Sequence, residues 1–348
     1  MTFLFALFVS CEEYYYPNLE PVSGMLVVES HITNDPNQNY LILSVTSGFY
    51  SSSPDKIASG ATVNLIEVGG QTTKATESNP GYFTFPKTPV AGKRYQLRVF
   101  YLKDTYESEF VVMPPLPSID SLYTKDKVEK SFRTDAYGNP AQVETPGREI
   151  YIDAPITPQL KYYRFNWRAI IQWVYYPPAT MGPPSPPIFG WKSTYDKGIF
   201  NIAGPKEFSV SDKVRTHPII SLPYNEIQYL DSAAQIPSGW ILIMDQYGIT
   251  KASFDFHEKL NQQFVAEGSL FDPVLTQVYG NIHCKNDPSK IALGFFDLNS
   301  YRQYRYFLDL GAGDETTVVQ RRLNHFYIIP NDGYFDNGIR PAFWENKY

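Results

Sequence analysis

Short runs of alternating apolar and polar residues fill the first hundred positions, and each run ends in a turn signal. Residues 25–32 (MLVVESHI) and 40–46 (YLILSVT) predict the first two strands, divided by the turn Asn34-Asp35-Pro36-Asn37. Residues 61–68, the aromatic 81–85, 94–101 and 106–112 continue the series. The alternation is cleanest in 94–101 (RYQLRVFY), where Tyr95, Leu97, Val99 and Tyr101 share one face. They do so because side chains change sides at every residue of a strand. Short strands at this spacing, with no helical period between them, predict a β-sandwich over residues 22–113. Pro114-Pro115-Leu116-Pro117 reads as a stiff linker closing that unit.

Residues 118–348 predict a second β-rich unit of less regular spacing. In 162–176 (YYRFNWRAIIQWVYY), Arg164, Asn166 and Arg168 alternate with Phe165, Trp167 and Ala169, which predicts a strand with one wet face. The run 240–246 (WILIMDQ) reads as a strand buried on both faces, and 291–296 and 301–308 as late strands. One helix is predicted over 253–267. Phe256, Leu260, Phe264 and Val265 recur at helical spacing, Ser253 can cap the start, and Gly268 ends it. The run 177–187 (PPATMGPPSPP) is too dense in proline for regular structure, and reads as a disordered loop or an extended arm. The fold class is therefore mainly β. An Ig-like sandwich, similar to the transthyretin-like modules of bacterial surface proteins, is followed by a second β-rich domain with one short helix.

Composition agrees and narrows the function. The 27 Tyr and 23 Phe favour half-buried pleated surfaces, while 28 Pro forbid long helices. A formal net charge of −6 argues against nucleic acid as a partner, since that demands a basic face.

The N-terminus changes the picture most. Residues 1–10 (MTFLFALFVS) form a short apolar run ending in the small Ser10, and Cys11, Glu12 and Glu13 follow. Such a run is the h-region and cleavage site of an export signal, and it falls far short of the ~20 residues that span a bilayer. The segment resembles a bacterial lipoprotein signal, although it lacks a basic start and carries Phe8 where a smaller aliphatic residue is usual. That resemblance implies a Cys11 diacylated on sulfur and acylated on its new amino group, an anchor of several chains. Residues 11–21 would then be a tether. The competing reading is a buried N-terminal strand with an incidental thiol.

Candidate chemistry is sparse. His257-Glu258 lies on the predicted helix, but a zinc-binding pair needs a second His four residues on, where Asn261 stands. His257 is therefore expected on a solvated helix face. Ser53 and Lys56 have the spacing of a nucleophile pair without the helix that should follow. Cys284, beside His283, has no intrachain partner once Cys11 is lipidated, and reads as a lone buried thiol. The run 331–338 (NDGYFDNG) is rich in oxygen ligands but reads as a turn cluster. No catalytic residue, cofactor or metal is expected.

The order of 254–260 (FDFHEKL), Gly280-Asn281-Ile282, Gly294-Phe295-Phe296 and the closing Arg340-Pro341-Ala342-Phe343-Trp344 is informative. Behind a lipoprotein cysteine and a sandwich, it resembles a Bacteroidota outer-membrane lipoprotein family known as domain of unknown function 4249. The resemblance implies a lipid-anchored outer-membrane protein without enzyme activity, commonly encoded near TonB-dependent transporters. Glu12 and Glu13 look like the surface-export signal of such lipoproteins. The implied partners are outer-membrane lipid through Cys11 and a TonB-dependent barrel, with an independent glycan-binding or adhesive lipoprotein as the alternative. Trp191, which follows the Pro-rich run, and Trp173 are the candidate contact residues. Trp167 and Trp240 lie within predicted strands and suit the core.

Overall fold

The computed structural model describes residues 24–47, 56–134, 138–175, 182–183, 188–196, 198–205, 212–223, 235–265 and 277–308. The first part of the chain supplies β1 (Leu26–Thr33), β2 (Tyr40–Val45), β3 (Lys56–Ile57), β4 (Thr62–Glu67) and β5 (Thr72–Lys74). It continues with β6 (Thr76–Asn79), β7 (Tyr82–Thr84), β8 (Arg94–Tyr101), β9 (Asp104–Ser108) and β10 (Val111–Val112). Longer strands follow: β11 (Ser121–Thr134), β12 (Pro140–Pro155), β13 (Tyr162–Tyr175), β14 (Ile188–Tyr195), β15 (Asn201–Ala203), β16 (Lys213–Pro223) and β17 (Gln235–Ile249). The helix α1 (Lys251–Val265) precedes β18 (Ile282–Cys284), β19 (Ala292–Phe295) and β20 (Leu298–Leu308). The protein is mainly β, with several sheets and, among the described residues, one α-helix.

The largest sheet runs β14-β13-β17-β20-β1-β2-β7-β6, with β15, β19 and β3 pairing β13, β1 and β2 at its margins. Two smaller sheets, β18-β9-β8-β4-β5 and β11-β12-β16, accompany it. Alternation decides what each face does. Leu26, Val28 and Ile32 of β1, Leu41 and Leu43 of β2, and Leu298 of β20 share a core with Val63, Leu65, Leu97, Val99 and Tyr106. Tyr163, Phe165, Leu242 and Met244 share a second core with Ile150, Ile152, Val214 and Ile220. Along β20 both cores use even-numbered positions, Leu298 in the first and Tyr304 and Tyr306 in the second. Both small sheets therefore cover the same face of the large one. Each leucine or isoleucine so buried contributes about 1.5–3 kcal/mol.

Strands from both ends of the chain build the first core. β1 pairs in parallel with β19 and β20, and β18 adds antiparallel to β9. The stretch 114–117 crosses that covered face between the cores. Ser300 Oγ donates to the Pro115 carbonyl at 2.6 Å, and Gln246 Nε2 to the Ser118 carbonyl at 3.1 Å.

The helix departs from expectation at its start and on its face. It begins at Lys251, and the cap is Thr250, whose Oγ1 accepts from the Ser253 amide at 3.1 Å. Ser253 lies inside the helix and is buried. Thr250→Ala should therefore lower stability by about 1 kcal/mol, the ordinary worth of a cap, measured by denaturant unfolding. Unchanged stability in Thr250→Ala would remove Thr250 as the cap.

Candidate functional site

The face of the large sheet turned away from the two small sheets carries a row of rings and polar side chains. Register creates it. Arg164 of β13 pairs with Tyr247 of β17, and Tyr247 pairs with Tyr301 of β20. The parallel step to β1 sets Thr33 beside Asn299, and His31 then stands opposite Tyr40 of β2. Side chains at these positions touch in succession. The Arg164 guanidinium lies 4.6 Å from the Tyr247 ring centre. Tyr247 meets Tyr301 at 5.3 Å and the edge of His31 at 5.4 Å. His31 stacks on Tyr40 at 5.2 Å, and Tyr40 on Tyr82 at 5.5 Å. The row ties strands from the first hundred residues to strands beyond residue 160.

Helix α1 closes the Arg164 end. Its buried side chains are Ser253 and His257, four residues apart and so on one face. His257 Nδ1 donates to the Ser253 carbonyl at 2.7 Å, which leaves Nε2 as the acceptor facing Arg164 Nη1 at 3.4 Å. Phe254 packs on Tyr162 and Phe256 stacks on Phe295, while Asn261 exchanges two hydrogen bonds with the Phe200 backbone. This overturns two expectations. His257 is buried under the helix instead of solvated, and Phe264 and Val265 are the exposed apolar positions. A polar docking face hides the helix period from a count of apolar residues. Arg164 is also only 8% exposed, because α1 covers its end of a strand face that otherwise reads as wet.

Burial governs the electrostatics. Desolvation, with Arg164 adding to it, pushes His31 down to about 4. His257 is lowered for the same two reasons, against the opposing charge of Asp297. Burial raises the phenols of Tyr40, Tyr247 and Tyr301, and the Tyr301 hydroxyl donates to Asp245 Oδ1 at 2.8 Å. Near neutral pH the row thus holds one guanidinium, neutral imidazoles and protonated phenols. Among the described residues, Asp297 Oδ1, both side-chain polar atoms of Asn299, Arg164 Nε and Asn39 Nδ2 are buried there without a partner. Such an arrangement gathers polar groups on a buried face, and His31, pushed down to about 4, is a weak base at pH 7.

Cys11, Glu12 and Glu13 lie outside the described residues, as do the tether, Ser53 and residues 331–338. So does the Pro-rich run, apart from Gly182 and Pro183. Trp173 in β13 pairs with Gly190, and Trp191 in β14 with Gln172, so the backbone brings these two candidates to adjacent positions of neighbouring strands. Cys284 is buried in β18. Among the described residues, no three His, Cys, Asp or Glu side chains gather as a metal site, and no helix is long and apolar enough to cross a membrane. Sequence reasoning missed His31, Tyr40, Tyr247, Asp297, Asn299 and Tyr301. The available signal was a polar residue in phase within apolar strands, as His31 is in MLVVESHI.

Fold and row together define a mainly β, multi-sheet protein with a helix-capped polar and aromatic face. The model of the family described as Domain of unknown function (DUF4249) matches residues 12–305, and the chain belongs to that family. No curated protein and no solved structure matches it.

Proposed function

We propose that this chain is a non-enzymatic outer-membrane surface lipoprotein, anchored through acylated Cys11, that serves as a partner-binding subunit beside a TonB-dependent transporter. The observation that carries the binding role is the β11–β12 hairpin. The two strands pair from Ser121↔Asp153 out to Thr134↔Pro140, while among the described residues β16 accompanies β12 only as far as Gly147. Among the described residues the arm beyond that point is two-stranded, and a lone hairpin is marginal in water. Val128 and Phe132 stand on one face of it, and Phe132 is 76% exposed. An arm that exposes Val128 and Phe132 among charged neighbours gains stability by seating those two side chains on a partner. The neutral, hydrogen-bonded histidines of the row support binding over acid–base chemistry. The lipid anchor, the outer membrane and the transporter rest on the signal-like N-terminus and on the family resemblance.

Tagged full-length protein, isolated from native outer membranes in mild detergent, should retain a β-barrel partner in stoichiometric amount. Phe132→Ser and deletion of 177–187, where Trp191 follows, should each release that partner without lowering the melting temperature. Recovery of the protein alone would remove the accessory role. A glycan-binding reading has one specific observation behind it. Tyr123 and Tyr151 stack at 5.9 Å on the outer face of the small sheet, between the carboxylates of Asp153 and Glu149. Glycan-array binding lost on Tyr151→Ala would favour it.

A further inference from the structure

We infer that the end of the first sandwich where the chain arrives from Cys11 is a lipid-contact face, pressed against the bilayer that holds the anchor. The inference rests on the anchored reading above. A groove of about 730 Å³ opens at this end, lined chiefly by Met25, Leu26, Tyr101, Leu102, Tyr106 and Ile291. Gly24 also lines it, and Gly24 lies thirteen residues after Cys11. At full extension those residues reach about 45 Å, which caps how far this end can stand from the bilayer and makes it the part of the body nearest the anchor along the chain.

The rim is apolar where water should discourage it. Leu102, in the turn between β8 and β9, is 90% exposed with a φ of 54°. A leucine in the left-handed region is strained, and glycine or asparagine would fill this turn without that strain. Strain kept at an exposed position is a pointer to use. Ile291 also lines the groove and is 38% exposed, and Lys56 lies in one register row with Leu26 and Val45 across β1, β2 and β3.

The charge near the groove suits a lipid surface. Lys103 and Lys290 line the groove, the Lys285 amide donates to the Thr105 carbonyl near it, and Lys56 ends the register row from Leu26, in a chain whose net charge is −6. The acids there are largely engaged, Asp104 by Lys290 and Glu107 by Lys285 and Arg98, with Asp287 in the same loop. Lysines interleaved with exposed leucine and isoleucine are the pattern of an interfacial contact. The apolar groups enter the acyl boundary, and the ammonium groups of Lys56 and Lys103 reach anionic headgroups while Lys285 and Lys290 neutralise the neighbouring acids.

The test compares Leu102→Cys with Val90→Cys, each carrying an environment-sensitive dye on the full chain. Val90 is exposed and lies before the opposite end of β8, while buried Cys284 stays unlabelled. The labelled proteins are placed on vesicles of phosphatidylethanolamine and phosphatidylglycerol containing acyl-brominated phosphatidylcholine. Quenching should be several-fold stronger at position 102 than at position 90. Equal quenching, or none at either position, overturns the contact face. Dye at 102 shielded in solution, with the protein a dimer, overturns it in favour of a second copy. A parallel set, tethered at residue 11 by a hexahistidine segment on nickel-chelating lipid, reads the face even if Cys11 carries no lipid. The mass of the residue 11 peptide decides the anchor separately.

Discussion

Gly294→Ala should remove about 4 kcal/mol or more of folding stability, enough to prevent soluble expression of a marginal protein. Gly294 has a φ of 92°, and a Cβ there would sit 2.0 Å from the Val28 carbonyl oxygen. That oxygen belongs to the backbone of β1, which pairs with β19 at this residue, so no flexible side chain can move aside. Gly280 is pressed in turn against Gly294, its own Cβ falling 1.6 Å from the Gly294 oxygen. Asn281 locks the same place, accepting from the Phe296 amide at 2.8 Å and donating to its carbonyl at 3.1 Å. Alanine at 294 must separate β1 from β19 and open the core at Val28, Ala292 and Phe296. Gly92→Ala is the comparison, because Gly92 also has a left-handed φ but nothing lies within 4 Å of its Cβ. It should lose only about 1–2 kcal/mol for conformation. Equal losses in denaturant unfolding would show that close approach is not what position 294 requires.

Acidification from pH 7 to 4.5 should weaken the fold through histidine before most carboxylates titrate. His31 and His217 are each pushed down to about 4, His31 by burial with Arg164 second and His217 by burial alone. His257 is lowered by burial and then by Arg164. A folded pKa below the unfolded 6.5 means that the neutral form is favoured in the fold. The stabilisation is complete above pH 6.5 and is lost as pH falls toward 4. By linkage, His31 and His217 each account for up to roughly 3 kcal/mol across that window. The structural consequence is clearest at His257, where a proton on Nε2 would face the Arg164 guanidinium and push α1 off the row. Unfolding midpoints measured between pH 7 and 4.5 should fall steeply, and His31→Gln with His217→Gln should flatten the slope. An unchanged slope in the double variant would remove histidine burial as the cause.

Local alternation made much of the fold legible. Residues 94–101 became β8 with Tyr95, Leu97 and Val99 buried, because burial on one face writes itself directly into the sequence. The β11–β12 hairpin was not legible. SLYTKDKVEKSFRT carries charge on both faces, and its pairing draws on partners such as Lys127–Glu149 and Lys130–Glu144 that appear only once the strands meet. The return of β18 and β19 into the first core is a long-range pairing that no local pattern encodes. The row was hidden for a related reason. Arg164 and His31 look like wet-face residues until α1 and the register with β17 and β20 bring them together. Gly280 and Gly294 stood out in the sequence, yet only the approach of Val28 explains them.

The anchor is the claim on which the proposed function stands, and the intact mass of the protein extracted from native membranes tests it most directly. The expected chain begins at Cys11, and its mass exceeds the polypeptide by a diacylglyceryl group and an amide-linked acyl chain. Protease added to whole cells should digest this chain. A chain carrying an unmodified Cys11, or one shielded from external protease, would contradict that claim.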